Sequence, residues 1–94
     1  MITVWKYPVG RHGLRIKVPD GATFIHTAYQ VHEGFRQVVV WAVVDRDRPP
    51  VEYEVRVIGT GWDFPDDLST ADHVGTLHDG PFVWHIFIRR VPPA

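Results

Sequence analysis

Six histidines, eleven carboxylates and no cysteine bound the chemistry open to this chain of 94 residues. A zinc centre needs three or four side chains within about 2.0–2.3 Å of one point. His26 and His32 share a strand face, but roughly 20 Å of extended chain separates them, so they cannot hold one ion. His73 and His78 are expected on opposite faces of their strand. His78, Asp79 and a carboxylate from the 63–72 segment are the one combination from which a small metal-assisted hydrolase could be built. No ligand set is complete, so no metal, cofactor or catalytic residue is assigned. His26, opposite Trp41 in a hairpin, and His85, on another interior strand, suggest a buried pair of imidazoles. A catalytic base also needs a pocket, a nucleophile and an orienting group, and no serine or threonine can be placed beside them. Packed histidines with one nitrogen bonded to backbone are expected instead.

Two other stretches could carry function. Gly59-Thr60-Gly61 is glycine-rich like a phosphate loop, but it lacks the lysine and the spacing such loops require. It runs into carboxylates that repel phosphate, so it reads as a strand exit. Trp62-Asp63-Phe64-Pro65-Asp66-Asp67 sets two large aromatics in an acidic, proline-stiffened segment outside the strands. Aromatic side chains bury much area with few rotors and dominate protein interfaces. Trp62, Asp63, Phe64, Asp66 and Asp67 are therefore the candidate binding residues. In the alternative, Trp62 and Phe64 fold back to plug an open end of the domain; one ring can plug while the other stays exposed. A third grouping, Arg11, Arg15 and Lys17 with Trp5 and Tyr7 on an adjoining strand, has the basic and aromatic character of single-strand nucleic-acid binders.

Global charge argues against that last role. Ten basic residues against eleven acidic ones leave a net charge of −1, without the basic excess that neutralises phosphates. Nucleic acid is not the expected partner, and the basic residues read as edge-protecting charges on a solvated strand. The missing cysteines exclude disulfides, thiolate metal sites and thiol nucleophiles. No run approaches the ~20 apolar residues of a membrane helix, and the first ten residues lack the pattern of a secretory signal.

The elements that must position these residues are strands. Ile2–Tyr7 alternates and ends at Pro8, as an edge strand does. Leu14, Ile16 and Val18 alternate with Arg15 and Lys17, and Pro19-Asp20-Gly21 turns the chain. Ala22–His32 and Phe35–Asp45 form a hairpin through Glu33-Gly34, whose register pairs residues summing to 67. His26 then faces Trp41 and Phe24 faces Val43, and the apolar Phe35–Asp45 strand is covered on both sides towards its end. Val51–Ile58 alternates with Val51, Tyr53, Val55 and Val57 inward. The 62–72 segment has room for one short helical turn near Pro65. His73–His78 and Phe82–Arg89 close the fold, with Pro81 widening the loop after Asp79-Gly80. Seven strands without a convincing helix predict one domain over residues 1–94, an all-β antiparallel sandwich or partly open barrel.

Trp5-Lys6-Tyr7-Pro8, Val18-Pro19-Asp20-Gly21-Ala22, Trp41-Ala42-Val43-Val44-Asp45, Ile58-Gly59-Thr60-Gly61, Val74-Gly75-Thr76 and Phe82-Val83-Trp84-His85-Ile86-Phe87 occur in this order along nearly the whole chain. Together they resemble a family of small uncharacterised proteins of bacteriophages and bacteria. The resemblance implies a phage-type protein of the infected cell's cytoplasm or of the virion, and it implies no activity. The expected function is thus non-enzymatic: an accessory protein that binds a host or phage protein, or assembles with itself as a homodimer. Its contacts are expected at the Trp62–Asp67 loop and an edge strand such as Ile2–Tyr7.

Overall fold

Turn chemistry decides which strands become neighbours. In the computed structural model, which describes residues 1–9 and 14–92, seven strands form: β1 (Ile2–Val9), β2 (Leu14–Pro19), β3 (Thr23–His32), β4 (Phe35–Asp45), β5 (Pro50–Gly59), β6 (Asp72–Asp79) and β7 (Phe82–Arg90). All strand pairs are antiparallel. One sheet has the order β1-β4-β3 and the other β2-β5-β7-β6. The expected all-β sandwich is therefore present, and β1 is an edge strand.

The β3–β4 hairpin closes through Glu33 and Gly34, both at positive φ (50° and 81°). That is the signature of a type I′ turn, whose twist suits a two-residue hairpin. The expected register holds from His32↔Phe35 to His26↔Trp41 and then breaks at a bulge. Beyond it Phe24 faces Ala42, not Val43. The bulge is an extra residue, Ile25, left half-exposed, and it rotates Phe24 inward against Tyr53 (5.2 Å between ring centroids). A second bulge, between His73 and Gly75, has the same effect on β6. His73 faces Phe87 and His78 faces Val83, so both histidines share the outer face instead of lying on opposite faces. The loop after Asp79 is tight rather than wide. Gly80 takes positive φ (57°) and Pro81 supplies the negative φ that follows, while Asp79 pairs directly with Phe82.

The core lies between the sheets. Val38, Val40, Ala42 and Val44 of β4 meet Ile16, Val18, Tyr53, Val55, Ile86 and Ile88. The sheets approach closely where Gly75 of β6 meets Thr27 of β3: a Cβ on Gly75 would lie 2.7 Å from Thr27 Cγ2. Thr27 is the one buried polar residue among those described, and its hydroxyl donates to the Val39 carbonyl (3.0 Å).

Among the described residues no other element covers the outer face of β4. Val39 is fully buried there, and a Lys6 Nζ–Gln30 Oε1 hydrogen bond (3.0 Å) runs across β4 at its level from β1 to β3. Long amphipathic stems can shield apolar surface in this way. Ile2, Val4 and Ile25 remain open on the same face. Among the described residues no helix is long and apolar enough to cross a membrane.

Candidate functional site: an aromatic cleft at one end of the sandwich

Gly59, Thr60, Gly61 and Trp62 form the turn that builds the site. Trp62 N–H donates to the Gly59 carbonyl (3.1 Å), and Gly61, the third residue, has φ of 88°. Positive φ at that position is the type II signature, which glycine satisfies without strain. The turn lays the Trp62 indole back over Gly59, where a Cβ would lie 2.7 Å from Cε2 and 2.9 Å from Nε1. Glycine at 59 is thus the seat of Trp62. Gly59→Ala is expected to push the indole off its seat and to cost about 2 kcal/mol. Near-ultraviolet circular dichroism and chemical denaturation check this, and Gly59→Ala should cost little once Trp62 is alanine.

So placed, Trp62 is 58% exposed and stands edge-on to Trp84 (5.5 Å, 73°). Trp84 in turn stacks with Phe82 (5.6 Å, 15°). These rings line one side of an open cleft of about 1020 Å³, whose other walls include Val9, Leu14, Tyr29, Val38 and Val57. Its size matches that of pockets that take drug-sized ligands or anchor side chains. At the rim, Arg36 lies 4.0 Å over the Tyr29 ring and pairs with Asp79 (3.2 Å). Burial raises the pKa of Tyr29 above the ordinary phenol value, and the Asp79 charge adds to the effect while Arg36 opposes it. Asp63 also lines the cleft and has no ion-pair partner among the described residues.

The rest of the Trp62–Asp67 segment does not act as one surface. Phe64 turns away from the cleft onto the outer face of the β2-β5-β7-β6 sheet, edge-on to Phe87 (5.1 Å). Neither aromatic plugs the core: Phe64 is 48% exposed. The buried side chain is Leu68, at 0% exposure, in a single 3-10 turn over Asp66–Leu68. Asp67 is an anchor, bound to Arg56 (3.3 Å) and near Arg89 (3.9 Å), both of which also meet Glu54. Asp66 is exposed. Sequence reasoning missed Leu68, whose only signal is an isolated leucine after two aspartates at a helical turn.

The histidines go elsewhere. His26 is exposed and tilted over Trp41 (5.7 Å) on one sheet, while His85 lies on the outer face of the other, so they form no buried pair. His85 does have hydroxyl neighbours that sequence could not place. Nε2 is hydrogen-bonded to Thr60 Oγ1 (2.7 Å), Nδ1 to Thr76 Oγ1 (3.2 Å), and Thr76 to His73 Nε2 (3.2 Å). No carboxylate bonds to either ring among the described residues. Nor do three His, Asp or Glu side chains there converge on a metal position.

The basic and aromatic grouping also separates. Trp5 and Tyr7 belong to β1 in one sheet, and Arg15 and Lys17 to β2 in the other. Tyr7 packs against the core, and Arg15 pairs with Glu52 (3.4 Å). Arg11 lies outside the described residues. The described members make no continuous face for a nucleotide strand.

The model of the family described as "Domain of unknown function (DUF7352)" matches residues 1–94. The chain belongs to this family. No curated protein and no solved structure matches it. The DUF7352 domain therefore coincides with the whole sandwich, cleft and β1 edge included.

Proposed function

We propose that this DUF7352 domain is a non-enzymatic, phage-type accessory protein that binds a segment of a host or phage protein in the cleft beside Trp62. It works in the cytoplasm of the infected cell or on the virion. The observation that carries this reading is a tryptophan held more than half exposed by a glycine seat, in the wall of an open apolar cleft. A domain this small has little apolar surface to spare for its own stability, yet more than half of this indole is left outside the packing. At interfaces the same side chain is among the strongest anchors.

The occupant is an extended segment that places one aromatic or aliphatic side chain against Trp62, Phe82 and Trp84. Gln37 and the Arg36–Asp79 pair supply polar partners at the rim. Selection from a random peptide display library tests the reading. Wild-type protein is expected to enrich sequences sharing one apolar anchor, and Trp62→Ala to weaken their binding at least tenfold, about 1.4 kcal/mol. No enrichment, or binding indifferent to Trp62→Ala, would contradict it.

A further inference from the structure

We propose that the free edge of β1 pairs antiparallel with the same edge of a second copy, with Val4 directly opposite Val4 of that copy. The inference is independent of the cleft and rests on which backbone groups β1 leaves open. The Arg46 N–H donates to the Met1 carbonyl (2.8 Å), and the β1–β4 register runs unbroken from Ile2↔Asp45 to Val9↔Val38. Antiparallel pairs alternate between hydrogen-bonded and non-bonded positions. The odd-numbered residues therefore bond to β4, and Ile2, Val4, Lys6 and Pro8 turn their backbone groups outward. Pro8, which has no N–H, stands where β4 needs none.

The other three edges are guarded within their paired length, whereas β1 carries only Lys6 and, near its end, Pro8. A bulge interrupts β3 between Phe24 and His26, and another interrupts β6 between His73 and Gly75. β2 has six residues, carries Arg15 and Lys17, and ends at Pro19. Bulges, charges and proline are the usual means of blocking edge-to-edge pairing. β1 has no bulge, and the ammonium of Lys6 is drawn across the sheet to Gln30. Three of its other side chains are apolar and open: Ile2 is 71%, Val4 53% and Trp5 52% exposed.

Self-pairing about Val4 satisfies these groups. Ile2 lies opposite Lys6 of the second copy, Val4 opposite Val4 and Lys6 opposite Ile2, each pair exchanging two bonds, about six in all. Pro8 falls beyond the paired window, so its missing donor breaks nothing. The Val4 side chains meet on the outer face beside Val43, and each Trp5 comes to lie beside Thr3 of the other copy. The two three-stranded sheets become one of six strands. One strand pair is a small interface, so the dimer is reversible.

The chain has no cysteine, so an introduced thiol is unique. Opposed residues in a bonded pair have Cα atoms about 5.5 Å apart, within disulfide reach. Under mild oxidation Val4→Cys is expected to cross-link into a covalent dimer, and Ile2→Cys, which faces Lys6, is not. Light scattering is expected to report a mass rising towards twice that of one chain with concentration. Val4→Lys, at an exposed position, should abolish that rise with the circular dichroism spectrum and melting temperature retained. A constant monomer mass with no Val4→Cys cross-link overturns the proposal. Equal cross-linking of Ile2→Cys and Val4→Cys overturns it too, since chance collision would then explain both.

Discussion

Leu68→Ala is expected to lower the free energy of unfolding by about 3 kcal/mol, within the range for emptying a fully buried leucine site. Such a loss is large for a domain whose total stability is expected near the lower end of 5–15 kcal/mol. Leu68 is buried outside the main core cluster. Its turn is held to the sheet by Asp67, through partly exposed ion pairs to Arg56 and Arg89. Exposed pairs of that kind contribute little on their own. Leu68 is therefore the chief anchor of the segment that carries Trp62. Chemical denaturation measures the stability loss. Leu68→Ala is also expected to weaken cleft binding beyond what the unfolded fraction explains, because the Trp62 wall loses its support. Asp67→Asn, by contrast, should change stability by less than about 1 kcal/mol.

Gly75→Ala is expected to destabilise the fold by about 2 kcal/mol, although alanine usually fits a strand better than glycine. The reason is the 2.7 Å approach to Thr27 Cγ2 at the point where β3 and β6 meet across the sandwich. Thr27→Ser removes the methyl that would be struck and keeps the hydroxyl bonded to the Val39 carbonyl. In the double variant most of the loss should disappear, a coupling of about 1–2 kcal/mol in a double-mutant cycle. Strictly additive effects would mean that residues 75 and 27 do not touch across the sandwich.

These two positions also show what could be read from sequence and what could not. Alternation along Val51–Val57 and the Glu33-Gly34 turn determine strand faces by local rules, and both hold in the structure. The bulges at Ile25 and Val74 follow no local rule. They arise because Phe24 and Leu77 gain more by facing the core than the ladder loses at one irregular residue. Each bulge inverts a stretch of strand, which is why alternation alone sets Phe24 opposite Val43 and puts His73 and His78 on opposite faces.

The cleft was legible only in part. Trp62 stood out by residue type and by its place outside the strands. Phe82, Trp84, Tyr29 and Arg36 come from three other strand segments, and only the pairing of β6, β7, β3 and β4 brings them to one end. Phe64 and Asp67, two and five residues after Trp62, serve the sheet rather than the cleft. Glycine at 59 was legible as a strand exit, but its second role, making room for an indole three residues on, depends on the turn geometry.

Trp62 and Trp84 are proposed to form one binding wall. Fluorine NMR of protein labelled with 5-fluorotryptophan tests it most directly, because each of the four tryptophans gives its own signal. Single Trp→Phe variants assign them. On addition of a peptide enriched by the wild-type protein, the Trp62 and Trp84 signals are expected to shift with one saturable curve, while those of Trp5 and Trp41 stay fixed. Shifts confined to Trp5 or Trp41, or peptide binding that leaves Trp62 unmoved, would contradict the account.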